Sequence, residues 1–267
     1  MGEGKNKIPK IIHYCWFGGN PMPDSFQKCI DSWKQVMPEY EIVCWDEKNF
    51  DLTSVSFVRE AAEMKKWAFV SDYVRLYALY HQGGIYLDTD VEIVQSLDRF
   101  LVHSFFSGFE TKNRVAGSLI AAEKGNGFVK ELLEYYTDRP FIKPDGKLDM
   151  KANPKIIMEF AQKRGLKAQN EYQMLEEDIH YYPTQFFSPT YYNYDQTKAK
   201  PCQDTYAIHQ FAGTWVKRGR YPKLNRRLKC FRWQVKDLIG ENTYFKFKES
   251  LGFSNKHSKK ELEEEYD

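Results

Sequence analysis

A chain of 267 residues can bury one sizeable core, so one domain with an appendage is expected rather than two equal domains. Its 39 basic and 37 acidic residues leave a net charge of +2, which excludes the broad positive field of a nucleic-acid binder. The five cysteines (Cys15, Cys29, Cys44, Cys202 and Cys230) are odd in number and form no C-x-x-C. Free thiols are expected from them, not a disulfide framework or a cysteine zinc site. Aromatic residues make up 16% of the chain, enough to fill a core and also to line a polar groove. No apolar run reaches the length of a membrane span. The opening MGEGKNK has neither the apolar stretch of a secretory leader nor a hydroxyl residue at Asn6, where a myristoylation signal carries one. A cytoplasmic, soluble protein is the expectation.

In chain order, residues 8–17 (IPKIIHYCWF) read as a buried strand stopped by Gly18-Gly19-Asn20-Pro21. Phe26, Ile30, Trp33 and Met37 recur at helical spacing, with Asp24 as the expected N-cap and Pro38 as the stop. Residues 41–45 (EIVCW) read as a second strand, and strand–helix–strand here points to a parallel α/β sheet. Helices are expected over 55–64 and 68–82, the latter closed by Gly83-Gly84, since glycine accepts a left-handed cap. Short strands flank Asp88-Thr89-Asp90 at 85–87 and 91–94. Strands at 104–109 and 115–122 meet at a turn near Lys112-Asn113. Helices follow at 127–136 and 154–164, separated by a Pro- and Gly-bearing loop, the second with Pro154 in its first turn. Residues 179–194 read as aromatic and extended, and 205–209 as a late strand. From 216 to 236 the composition turns to Lys and Arg without a single acid, with Leu224, Leu228, Phe231 and Val235 at helical spacing.

The chemistry is concentrated in residues 67–93. Hard divalent cations such as Mn²⁺ and Mg²⁺ take oxygen ligands and keep positions free for phosphates. Asp88 and Asp90, at a strand end with a bend, can converge on such an ion; a solvated turn is the plainer reading of an isolated D-x-D. Carboxylates between two apolar strands are costly unless something positive sits there. On the preceding helix, Phe69, Tyr73, Leu76 and Tyr80 form one apolar stripe, broadened by Val70, Val74 and Tyr77. Asp72 and Arg75 share the narrow remaining face, either as a solvent-facing i,i+3 pair or as a pair that orients sugar hydroxyls.

Ser71-Asp72-x-x-Arg75, then Gly83-Gly84-Ile85-Tyr86-Leu87-Asp88-Thr89-Asp90, together with the opening IPKIIHYCWFGG, resemble the sugar-transferring proteins of glycosyltransferase family 32. Within that family the likeness is to the bacterial capsular-polysaccharide type. More distantly, the chain is similar to the large clostridial glucosylating toxins. The resemblance implies a GT-A fold, α/β and Rossmann-like, with a mixed central sheet flanked by helices. It implies a catalytic domain over 1–216, and the basic composition beyond it marks a helical extension over 217–267. Asp72, Arg75 and Asp88 would carry catalysis. Trp16 would stack on the uracil of a UDP-sugar donor. Asp72, Arg75, Tyr86 and Asp88 would line its sugar and phosphate side. Asp90, with Asp88, would hold Mn²⁺ or Mg²⁺. His209-Gln210-Phe211-Ala212-Gly213-Thr214-Trp215 resembles the family's late H-H-W-x-G-S-W element, departing from it at Gln210, Phe211 and Thr214. His209 would then be a further metal ligand, with Thr214 and Trp215 closing over the diphosphate.

A metal-dependent, retaining transfer of a hexose from a UDP-sugar to a glycan or lipid-linked oligosaccharide, in bacterial surface polysaccharide synthesis, is the expected activity. A protein-modifying glycosyltransferase and a non-catalytic sugar-nucleotide-binding module are the alternatives. Residues 217–236 could also seat a peripheral helix on an anionic inner leaflet, or simply form a solvated face.

Overall fold

A computed structural model describes residues 5–111, 113–189 and 202–212. These belong to one compact unit that runs to Ala212. The expected division at 216, the basic segment 217–236, and Thr214 and Trp215 lie outside the described residues.

The centre is a seven-stranded sheet in the order β2-β1-β3-β6-β5-β8-β7. β1 (Ile11–Cys15) lies between β2 (Glu41–Trp45) and β3 (Gly84–Leu87), parallel to both. β6 (Arg114–Ala122) runs antiparallel to β3 and to β5 (Phe105–Thr111). β8 (Ile179–Tyr182) is parallel to β5, and β7 (Gln173–Leu175) closes the edge antiparallel to β8. The sheet is therefore mixed, as the GT-A expectation requires. Strands β1, β2, β3, β5 and β8 all point the same way. A separate two-stranded ribbon pairs β4 (Val91–Ile93) with β9 (Ala207–His209).

Alternation along each strand sends side chains to two cores. Tyr86, Phe105, Ile120 and Ala122 pack beneath α2 (Ser56–Glu63), α3 (Trp67–Gln82), α4 (Gly127–Glu134) and α5 (Asn153–Lys163). Ile85, Leu87, Phe106, Leu119 and Ala121 face α1 (Asp24–Val36), the ribbon and the short α6 (Thr184–Phe187). All four residues of β3 are buried, because both of its faces are covered.

Helix α1 starts differently from the sequence expectation. Asp24 is its first helical residue, and Pro23 occupies the cap with no side-chain bond. The carboxylate still lies at the positive end of the helix dipole. Gly83 closes α3 as expected, with φ at +71° and its N–H on the Leu79 carbonyl at 2.9 Å. The aromatic stretch from 179 is extended only to Tyr182. Pro183 then caps α6, whose Phe187 is buried against Phe100 and Phe106. The segment 190–201 lies outside the described residues. None of the helices among the described residues is long and apolar enough to cross a membrane.

Candidate active site

β3 and β4 are joined by a tight turn. The Asp88 N–H bonds to the Ser118 carbonyl at 2.9 Å, continuing the β6 pairing, and the Val91 N–H returns to the Asp88 carbonyl at 3.0 Å. This reversal is the bend that lets Asp88 and Asp90 converge. The next strand leaves the main sheet and pairs Val91 with His209, so the ribbon register sets His209 beside Asp90. Asp88, Asp90 and His209 each offer a ligand atom, all within 4.8 Å of one another.

Each of these three groups is held from behind. The Ala212 N–H donates to Asp90 Oδ2 at 2.8 Å, and the Gln210 N–H to the Asp90 carbonyl at 2.9 Å. His209 Nε2 faces Asp90 Oδ1 at 3.4 Å while its Nδ1 faces Glu110 Oε1 at 3.3 Å. Glu110, near the end of β5, is paired in turn with Arg114 at 3.6 Å. A carboxylate behind the imidazole fixes which nitrogen is turned toward an ion. Burial disfavours the imidazolium, but Asp90 and Glu110 outweigh it and push His209 up to about 10. Burial works to raise both carboxyls, and His209 overrides it, holding Asp90 and Glu110 below their ordinary range. Asp88 goes the other way: burial raises it more than Arg75 lowers it. Two carboxylates and an imidazole suit Mn²⁺, and the oxygen pair alone suits Mg²⁺.

The Asp72–Arg75 pair is buried rather than solvent-facing, 7% and 6% exposed. The narrow face of α3 packs on β6 and on the start of α5. Arg75 Nη2 lies 3.0 Å from Asp72 Oδ1 and 3.5 Å from Asp88 Oδ1. Its Nη1 donates to the Gly117 carbonyl at 2.7 Å and its Nε to the Ser71 carbonyl at 3.2 Å. The guanidinium also covers the Tyr86 ring at 4.6 Å. Asp72 Oδ2 accepts the Asn153 N–H at the start of α5, at 3.1 Å. Burial lifts the Asp72 carboxyl to about 6 despite Arg75. In this structure Arg75 is thus committed to protein acceptors, and it orients Asp72 and Asp88 together.

Tyr86 is 2% exposed and donates its hydroxyl to Asp88 Oδ1 at 2.9 Å, supporting the carboxylate from beneath. Trp16 follows β1 at the same sheet edge as Asp88. Its ring is half-buried, edge-on to Phe26, with Nε1 donating to the Asn20 carbonyl at 2.7 Å. Six of the sequence-picked residues therefore gather at one place: Asp72, Arg75, Tyr86, Asp88, Asp90 and His209. Trp16 stands on the same edge, packed on Phe26.

Two participants were not picked from the sequence. Glu110 is a lone acid at a strand end, and nothing in its spacing ties it to His209. Gly117 carried a signal, because glycine inside a strand often marks a close approach. A Cβ there would sit 3.0 Å from Arg75 Nη1 and 2.9 Å from Pro154 Cγ.

Residues 23–107 match the family model described as "Glycosyltransferase sugar-binding region containing DXD motif". These residues carry the chain's likeness to glycosyltransferases. The match contains Asp72, Arg75, Asp88 and Asp90, and stops short of Glu110 and His209. Inositol phosphoceramide mannosyltransferase 3 of Schizosaccharomyces pombe is 28% identical over 134 residues, 47% of this chain and 36% of that protein. Subversion of eukaryotic traffic protein A of Legionella pneumophila is 24% identical over 162 residues, 48% of this chain and 25% of that protein. The chain thus spans about a third or less of the length of these curated relatives. Among solved structures it is similar to the PaToxG glycosyltransferase, with a TM-score of 0.45 and 19% identity, covering 58% of this chain and 68% of that one.

Proposed function

We propose that this protein is a metal-dependent, retaining glycosyltransferase of the family 32 type, which moves a hexose from a UDP-sugar to a hydroxyl of a glycan or lipid-linked acceptor. The observation that carries the reading is the convergence of Asp88, Asp90 and His209, backed by Glu110 and flanked by the buried Asp72–Arg75 pair. A solvated turn would not set two half-buried carboxylates against a buried imidazole that is itself backed by a further carboxylate.

Asp88, Asp90 and His209 would hold the ion. The ion, when bound, supplies positive charge against the diphosphate that departs from the sugar. Ala212, Gln210 and Glu110 keep Asp90 and His209 aimed, so little reorganisation accompanies the reaction. Arg75 fixes Asp72 and Asp88, and these carboxylates accept hydrogen bonds from sugar hydroxyls. Trp16 offers a flat face for the base at the same edge. Among the described residues no side chain stands as an evident nucleophile, so in this reading the acceptor attacks from the face that the diphosphate leaves, and the departing phosphate takes the acceptor proton. NMR of the product anomer tests this step, and an inverted anomer overturns it.

Bacterial surface polysaccharide is the proposed setting for the acceptor. Residues 217–236 would bring the enzyme to an anionic inner leaflet. Co-sedimentation of the full chain with anionic vesicles tests that contact, and an absence of binding at low salt removes it.

The activity itself is tested by nucleoside diphosphate release from a panel of UDP- and GDP-sugars, with and without Mn²⁺. Mannose donors belong in the panel because the fungal relative is named a mannosyltransferase. Release with Mn²⁺ that Asp90→Asn abolishes supports the reading. Equal turnover by Asp90→Asn overturns the metal site, and silence across the whole panel overturns the activity.

A further inference from the structure

A second convergence of ligating side chains lies at the other end of the sheet. His103, just before β5, and His180, the second residue of β8, stack their rings with centroids 3.6 Å apart. Asp178 stands against both. Its Oδ1 is 2.7 Å from His180 Nε2 and 4.0 Å from His103 Nδ1. The three residues offer ligand atoms all within 4.8 Å of one another. β5 runs from this end to Glu110 at the other. The five residue steps from Phe105 to Glu110 span roughly 17 Å.

The atoms turned away from the cluster are each engaged. His180 Nδ1 is bonded to the Tyr172 hydroxyl at 2.8 Å, and His103 Nε2 to the Tyr182 hydroxyl at 2.9 Å. Asp178 Oδ2 accepts Lys7 Nζ at 2.8 Å and the Ser104 N–H at 2.7 Å. Metal-ligating imidazoles and carboxylates are held by outer partners of this kind, which fix the tautomer and the rotation. Here these partners leave one nitrogen from each ring and one carboxylate oxygen free of outer partners and within 4.8 Å of one another. Lys7 neutralises the far oxygen and leaves Oδ1 available. Backbone strain delivers the carboxylate: Glu177 and Asp178 both take left-handed conformations, with φ of +60° and +56°.

We propose that His103, Asp178 and His180 form a second metal site, selective for a borderline transition ion such as Zn²⁺, which clasps the start of β8 to the start of β5. Two imidazoles with one carboxylate favour such an ion over Mg²⁺ or Ca²⁺. Ligands about 2.1 Å from a tetrahedral ion lie roughly 3.4 Å from one another. The 2.7 and 4.0 Å contacts of Asp178 Oδ1 bracket that separation, and the two stacked rings must turn out of parallel for both nitrogens to meet one ion. The Asp178 side chain is 35% exposed and His103 15%, so the fourth position opens to water. On binding, the proton on His180 Nε2 is replaced by the ion and Nδ1 carries it instead. The Tyr172 hydroxyl then turns from donor to acceptor. The proposal is independent of the glycosyltransferase reading.

The test is titration of the chelator-stripped full chain with Zn²⁺, and separately with Co²⁺, followed by calorimetry and visible absorption. Asp90→Asn serves as the parent, which separates this site from the one at Asp88. Adding His103→Gln and His180→Gln should lower the Zn²⁺ stoichiometry by one equivalent and remove the visible Co²⁺ band. Tyr172 is half exposed, so Tyr172→Phe leaves the core intact and should weaken Zn²⁺ binding about 10- to 100-fold. Unchanged stoichiometry in the folded histidine variant overturns the proposal. Should that variant not fold, unchanged Zn²⁺ affinity in Tyr172→Phe overturns it instead.

Discussion

Replacing Arg75 by methionine tests the arrangement at its most buried point. The guanidinium is 6% exposed and is the cation shared by Asp72 at 3.0 Å and Asp88 at 3.5 Å. Methionine keeps much of the volume and removes the charge. Breaking a buried ion pair by deleting one partner costs about 3–5 kcal/mol, because the other charge is left in a medium that cannot solvate it. The carboxylates lower that cost by taking up protons, so the loss depends on pH. Even with Arg75 present, burial lifts the Asp72 carboxyl from 3.8 to about 6. The folded chain holds that proton between the two values while the unfolded chain has released it. Its contribution to stability is complete below about pH 4 and is lost as pH rises through about 6. Arg75→Met should therefore lose about 3–5 kcal/mol at pH 7.5 and clearly less at pH 5, and Arg75→Met with Asp72→Asn should lose less than Arg75→Met alone. Urea denaturation followed by circular dichroism measures all three. A loss below about 1 kcal/mol at pH 7.5, the value of an exposed pair, would refute the buried coupling.

At neutral pH, His209 holds a proton that an incoming ion must displace, because Asp90 and Glu110 overcome burial and push it up to about 10. Apparent Mn²⁺ affinity should rise about ten-fold per pH unit between pH 6 and 8, with about one proton released per ion. Calorimetry in buffers of different ionisation heat reads that proton, and pH-independent binding contradicts the assignment. Glu110→Gln should weaken Mn²⁺ binding about 10- to 100-fold while leaving the fold intact, since the amide still reaches Nδ1 without its charge. Gly84→Ala should cost on the order of 2–4 kcal/mol. Gly84 sits at φ +111°, and a Cβ there would come 2.5 Å from the Ile11 carbonyl, forcing β3 away from β1. A thermal melt within a degree of the unaltered protein would show that the strand adapts.

Much of this molecule was legible in its residues because long elements carry strong periodicity. Helix α3 was visible in Phe69, Tyr73, Leu76 and Tyr80, and its end in Gly83. The strands around the acidic pair were visible because both faces of β3 are apolar. What escaped depended on neighbours far away in the chain. β7 is a three-residue edge strand whose Met174 is exposed, and it is held by β8 rather than by its own pattern. The aromatic run after Ile179 looks extended, yet Pro183 starts a helical turn because Phe187 finds a pocket beside Phe100 and Phe106. Asp72 and Arg75 gave no sign of burial. Their cover comes from β6 and from Asn153, 81 residues beyond Asp72. Glu110 was silent because its partner, His209, belongs to β9, about a hundred residues further along the chain.

The β4–β9 ribbon brings together Val91 and His209, so the proposed cation-holding group cannot form until the chain has been made well past residue 207. Asp88 and Asp90 emerge from the ribosome more than a hundred residues ahead of their imidazole partner. During that interval the sheet from β1 to β8 can assemble, while the acids at its rim have no completed set to offer an ion. Ion capture therefore reports on late docking of the ribbon. A ribbon-destabilising change in Ile208 or Ala207, remote from any sugar, would show itself first as a chain that folds its sheet and yet handles metal poorly.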